Sequence, residues 1–292
     1  MTVKQEMSEK IRVALEALSV GDAFGFKLST RPRHVERREL PEGPWYWSDD
    51  TAMASTLAAV LLHHGELGQD LLFEQFVKRY ELQPWRGYGT GMKRLLGRYG
   101  GSDWRESTTK LFSGTGSFGN GAAMRVAPVG IYFADDLVAV ADHAAASAVV
   151  THAHDEGIAG AVAVASAAAL AAQRRDLSAE ELIRGVVQNT PASDVRDGIE
   201  RSLDFAPEDL SVAAEVLGNG YRITAQDTVP LCVWWAAHNL DNFEDAMWRL
   251  VGVGGDEDTN CAIVGGILGA SGAVAPSEWQ RSTEALPELV LL

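Results

Sequence analysis

Apolar residues recur at spacings of three and four along most of the chain. Met7, Ile11, Leu15 and Leu18 form one such stripe and predict a first helix that stops at Gly21. The stretch "TAMASTLAAVLLHH", Thr51 to His64, predicts a second, with Ser48, Asp49 and Asp50 at its start. Helical patterns follow over 135–150, 156–174, 179–189, 229–239, 243–251 and 259–270. Small residues are frequent inside them, which lets helices approach closely. Period-two alternation of β-branched and aromatic residues is almost absent, so the expected fold is all-α. The polar segment 31–42, "RPRHVERRELPE", reads as a surface loop. Glycine-rich interruptions fall at 86–101 and 113–121, but helical patterns resume on both sides of each. One compact domain over 1–292 is expected, and no 20–50-residue repeat is visible.

Composition narrows the function. With 46% hydrophobic and 22% charged residues, the chain can bury a substantial core. A formal net charge of -15 argues against nonspecific binding to nucleic acid or anionic membranes, which depends on Lys and Arg. It leaves open a phosphate-bearing small ligand in a local amide-lined pocket. The cysteines, Cys232 and Cys261, are far apart in apolar settings and read as buried reduced thiols. The N-terminal stretch has no apolar signal core, and the Ala-rich run 157–172 is shorter than the ~20 residues that span a bilayer. A soluble cytoplasmic protein, taken as a monomer, is the expectation.

Two acidic clusters carry the candidate chemistry. "SDDT" (Ser48 to Thr51) and "GGDEDT" (Gly254 to Thr259) each open an apolar helical run. Helix dipoles favour carboxylates there by roughly 0.3–1 kcal/mol each, and capping accounts for one such residue per helix. Neither accounts for a carboxylate pair in both, although two acidic caps remain the plain alternative. If the clusters meet, they form an oxygen-rich nest suited to Mg²⁺, Mn²⁺ or Ca²⁺ more than Zn²⁺. The second cluster is not an EF-hand, because Cys261 and Ile267 stand where that loop needs Gly and Glu. The glycine-rich Gly114 to Gly121 could turn backbone N–H groups toward an anion, with Phe118 placed to stack on a base. His152 and His154 read as a helix cap or a ligand hydrogen bond rather than a zinc site.

Six segments in this order resemble the ADP-ribosylglycohydrolase family, which includes dinitrogenase reductase-activating glycohydrolase and the human ADP-ribosyl-acceptor hydrolases. They are "GDAFG" (21–25), "SDDTAMA" (48–54), "GSFGNGAAMRVAPVG" (116–130), "THAHDEGIAGAVAVA" (151–165), "AQDTVP" (225–230) and "GGDEDTNCAIVGGILGA" (254–270). The resemblance implies an all-helical domain with two Mg²⁺ ions in a cleft, Mn²⁺ being an alternative. It places metal ligands at Ser48, Asp49, Asp50, Asp256, Asp258 and Thr259. It places substrate contacts at Gly116, Ser117, Phe118, Gly119, Asn120, Gly121 and His152. The implied reaction cleaves the bond between C1″ of ADP-ribose and an acceptor on a protein or small molecule, with Asp49 and Asp50 as catalytic carboxylates. One departure stands out: many members carry Glu four residues after the last Gly of "GDxxG", where this chain has Ser29. Glu36 or Glu39 could supply that carboxylate, Asp49 or Asp50 could act alone, or the protein could bind ADP-ribose with little turnover.

Overall fold

The structure, a computed structural model, describes residues 3–97, 103–173 and 177–292. Its first half contains helices α1 (Val3–Leu28), α2 (Pro32–Arg37), α3 (Asp49–His64), α4 (Gln69–Leu82), α5 (Thr90–Leu96), α6 (Trp104–Thr109), α7 (Leu111–Gly114), α8 (Ala127–Tyr132) and α9 (Leu137–Val149). The second half adds α10 (Asp155–Gln173), α11 (Ala179–Asn189), α12 (Asp194–Arg201), α13 (Leu210–Leu217) and α14 (Ala225–Ala237). It closes with α15 (Phe243–Val251), α16 (Glu257–Ser271) and α17 (Ser277–Ser282). No strand occurs among the described residues; extended pairing is limited to two isolated bridges. The fold is all-α, as the periodicity indicates. The expected end of the 156–174 helix at Arg174 lies outside the described residues.

α1 does not stop at Gly21; it runs on through Gly25 to Leu28. These glycines make contacts instead of ending the helix. A Cβ at Gly21 would sit 2.3 Å from the Cys261 carbonyl oxygen, and one at Gly25 2.3 Å from that of Glu257. From the other side, Cβ atoms at Gly265 and Gly269 of α16 would lie 2.6 Å from backbone atoms of Ala17 and Ala14. Positions ascend along α1 as they descend along α16, so the two helices lie antiparallel with their backbones nearly touching. That proximity brings the acidic start of α16 to the part of α1 around Asp22. The 31–42 segment also departs from the loop expectation. Pro32 presets the first turn of α2, and Arg38 ends it in the left-handed region at φ 49°. Its outer residues remain exposed.

α10 is the Ala-rich centre, buried against α8, α9, α11, α14 and α16. Among the described residues it alone is long and apolar enough to cross a membrane; most of that apolar window is instead enclosed by the fold. Aromatic packing fixes the C-terminal elements on α1. Phe24 stacks on Trp279 of α17 at 4.1 Å between centroids and meets Trp248 of α15 edge-on at 4.9 Å. Beyond α17 the chain becomes a strap. Trp45 N–H donates to the Ser282 carbonyl and Glu284 N–H to that of Trp45. At the far end, Leu292 N–H reaches Gln75 of α4 at 2.6 Å.

Candidate functional site

Three helices deliver the acidic residues to one place. Ser48 caps α3: its hydroxyl accepts from Asp50 N–H and donates to the Asp50 carboxylate at 2.7 Å. Asp22, fully buried on α1, accepts from Ser48 N–H at 3.0 Å, Thr51 N–H at 3.0 Å and the Thr51 hydroxyl at 2.6 Å. α1 thereby pins the first turn of α3. From α16 comes Asp258, and carboxylate oxygens of Asp22, Asp50 and Asp258 lie within 4.8 Å of one another. The two clusters recognised in the sequence therefore meet. Asp22 completes the group, although the sequence reading did not place it at the site. Its signal was a lone charge on the apolar stripe of α1, beside the contact glycine Gly21.

Burial and crowding raise these carboxyls together. Burial pushes Asp22 up to about 6, although hydrogen bonds from Thr51 and Ser48 hold it down. Burial, then the charge of Asp22, pushes Asp49 up to about 7. Asp50 stands well above the usual range through burial and the charges of Asp22 and Asp258. Asp258 does so through burial and the charges of Asp256 and Asp22. One buried oxygen, Asp50 Oδ1, has no hydrogen-bond partner. An all-oxygen donor set, mutual repulsion and an orphaned buried acceptor fit a hard divalent cation. They fit a pair of helix caps poorly, since caps would use that oxygen.

The acidic group opens into a cavity of about 420 Å³. Asp49, Asp50, Asp256, Asp258 and Thr259 line its acidic end; Ser48, held against Asp50, does not reach it. Ser117 to Gly121 and His152 form one wall, and residues 87 and 89–92 contribute another. Gly116, at φ 74°, turns the chain behind this wall rather than lining it. Ser117 accepts from Gly119 N–H at 3.2 Å, which tightens the loop. The Asn120 amide donates to Asp256 at 2.7 Å and to the Thr228 hydroxyl at 3.1 Å, so it joins the glycine loop to the acidic cluster. His154 caps α10, accepting from Glu156 N–H, and meets the Phe118 ring edge-on.

Phe118, Phe112 and Ile223 make the cavity apolar at its open side. Phe112 and Ile223 are exposed large side chains on left-handed backbone, φ 50° and 55°. No periodicity marks such positions in a sequence, and neither was foreseen. Ser29 lies outside the cavity, exposed at the end of α1, with its hydroxyl donating to the Phe26 carbonyl. Glu36 and Glu39 on and after α2 are also exposed and do not line it.

The sequence profile of the ADP-ribosylglycohydrolase family matches residues 3–290. The chain belongs to the ADP-ribosylglycohydrolase family. It is 32% identical to an uncharacterized protein of Archaeoglobus fulgidus, covering 97% of this chain and 95% of that one. Human ADP-ribosylhydrolase ARH3 is 28% identical, with 97% and 91% covered. ADP-ribosylarginine hydrolase Tri1 of Serratia proteamaculans is also 28% identical, with 91% and 72% covered. Among solved structures, an ADP-ribosylglycohydrolase-related protein complex superposes with a TM-score of 0.71 at 26% identity, covering 98% of this chain and 95% of that one. The protein is thus an enzyme of the glycohydrolase type, and its aspartate cluster is a group able to hold metal.

Proposed function

We propose that the protein is a Mg²⁺-dependent hydrolase that cleaves ADP-ribose from an acceptor at C1″. The carrying observation is the junction of two unlike surfaces in one cavity. The carboxylates of Asp22, Asp50 and Asp258 converge at one end, with Asp50 Oδ1 unpartnered, and a glycine-rich amide wall borders them. Family membership and the names of relatives supply the ADP-ribose reading. Asp22, Asp49, Asp50, Asp256, Asp258 and Thr259 would hold two ions, with Ser48 orienting Asp50. Bound there, the cations would supply Lewis acidity at the distal ribose and an acidified water.

The protein's own residues do the rest. Backbone N–H groups of the Ser117 to Gly121 wall bind the pyrophosphate, as amide nests do. Phe118, with Phe112 and Ile223, covers the base with apolar surface. His152 donates to a substrate oxygen. As the glycosyl centre becomes cationic, the surrounding carboxylates stabilise it, and Asp49 takes the proton of the attacking water. Asp49 suits that role because it lines the acidic end of the cavity, where the water would be held.

The test is release of free ADP-ribose from Arg-linked, Ser-linked and small-molecule conjugates with Mg²⁺, using Asp50→Asn and Asp258→Asn as controls. Release that requires Mg²⁺ and both carboxylates is expected. The position of Ser29 outside the cavity favours a second reading, tight ADP-ribose binding with slow turnover. Calorimetry showing Mg²⁺-dependent binding without release from any conjugate would select it.

A further inference from the structure

His152 is held by a chain of hydrogen bonds that begins at a buried cation. Arg125 is fully buried, and its hydrogen bonds to oxygen go to carbonyl and hydroxyl groups. Its Nη2 donates to the Ser147 carbonyl and to the Thr151 hydroxyl, each at 2.8 Å. Its Nη1 donates to the Gly121 carbonyl at 3.3 Å, and its guanidinium lies over the Phe76 ring at 4.6 Å. The Thr151 oxygen in turn lies 2.8 Å from His152 Nδ1. All three residues are buried.

The direction of the second bond follows from the first. A guanidinium only donates, so the Thr151 oxygen accepts from Arg125. The Thr151 hydrogen must then go to another acceptor, and His152 Nδ1 is the one in reach. Were Nδ1 protonated instead, the Thr151 oxygen would accept twice and its buried O–H would be stranded. Such a stranded donor costs about 1–3 kcal/mol, enough to decide between tautomers. We propose that Arg125 and Thr151 are positioning residues that fix His152 as the Nδ1-acceptor, Nε2–H tautomer, a standing hydrogen-bond donor on the cavity wall. Nε2 is on the glycine side of the ring: Cβ atoms added at Gly121 and Gly119 would lie 3.0 Å and 3.3 Å from it.

This arrangement gives His152 a chemical sense. Nε2–H can engage an oxygen acceptor, such as a phosphate oxygen or the oxygen of a ribose hydroxyl. It cannot take a proton there, so His152 is not the base of the reaction. Burial and the neighbouring Arg125 charge push the imidazole down to about 3, which keeps it in this neutral form across the working range. The ligand part of the inference rests on the ADP-ribose reading above; the tautomer does not.

Long-range proton–nitrogen NMR on ¹⁵N-histidine-labelled, ligand-free protein tests it, with His152 assigned by the signals lost in His152→Gln. The expected wild-type spectrum shows a pyrrole-type Nε2 and a pyridine-type Nδ1, and Thr151→Ser keeps it. Thr151→Val removes the donor to Nδ1, so protonation spreads to Nδ1 and ADP-ribose affinity falls at least tenfold. A protonated Nδ1 in wild type overturns the proposal, as does a Thr151→Val spectrum and affinity unchanged from wild type. The wild-type spectrum decides even if Thr151→Val fails to fold. Wild-type protein that shows the expected spectrum yet does not bind ADP-ribose overturns the substrate reading and not the tautomer.

Discussion

Neutralising Asp50 or Asp258 relieves repulsion and removes a ligand, and a cation separates the two effects. In chelator, Asp50→Asn and Asp258→Asn are expected to melt higher than wild type, because each takes one buried charge from a crowded group. In millimolar Mg²⁺ the order reverses, since binding to the native state alone stabilises by about 2.7 kcal/mol at a hundredfold excess over Kd. Thermal melts in both conditions check this. The same crowding sets a pH dependence. Asp22 and Asp49 titrate at about 6 and about 7 when folded, against about 3.9 in an unfolded chain. Between those values the native state binds more protons than the unfolded state. Metal-free stability is therefore expected to be highest near pH 4 in this respect and to fall as pH rises to 7, by up to about 1.4 kcal/mol per unit of displacement for each group. Mg²⁺ flattens that decline; denaturant titrations from pH 4 to 8 measure it. At this scale the sequence was informative where like charges adjoin, at Asp49–Asp50 and Asp256–Asp258. Asp22 stands alone in its helix, and its role depends on which backbone amides face it.

The close crossing of α1 and α16 is what turns separate motifs into a site. Gly25→Ala tests it. Alanine favours a helix interior by about 1 kcal/mol over glycine, yet its Cβ would fall 2.3 Å from the Glu257 carbonyl oxygen. Backbone atoms must shift to admit it, and overpacking of this kind costs about 1–3 kcal/mol or more. The clash is expected to win: net destabilisation of about 2 kcal/mol, with at least tenfold weaker Mg²⁺ binding as Asp258 moves away from Asp22. Calorimetry and denaturant melts read both. The helix end that the sequence pattern places at Gly21 is absent for the same reason. Glycine often ends a helix by its freedom of conformation, and the sequence does not reveal a partner backbone that needs glycine for its small size.

Across the whole molecule, the all-α architecture was legible because α1, α3, α9, α10, α11, α14, α15 and α16 carry apolar residues at helical spacing, whereas α4, α12, α13 and the short helices α2, α5 to α8 and α17 were not foreseen. The C-terminal strap was not, having no period at all. It matters to the site through Arg86, which precedes the cavity-lining Gly87. The Arg86 guanidinium lies over Trp47 at 3.4 Å, donates to the Trp47 carbonyl, and forms a two-pronged pair with Glu284 at 2.7 and 2.8 Å. Strap, cavity wall and the approach to Ser48 are thus tied at one cation. Glu284→Ala leaves that cation buried and unpaired. Removing one partner of a fully buried pair costs 3–5 kcal/mol; with Glu284 29% exposed, about 2 kcal/mol is expected. ADP-ribose affinity should fall as the wall loosens, and Glu284→Asp should restore part of it; melts and calorimetry check both.

The antiparallel pairing of α1 with α16 also sets an order in time. Asp22 precedes Asp258 by 236 residues of sequence (258 − 22), so it is made first and waits for α16. Loops this long close slowly, and their contacts reward the chain only after closure. A nascent chain therefore carries Asp22 and Asp50 without Asp258 until α16 emerges. The acidic group is therefore assembled only once α16 has been made and has closed on α1.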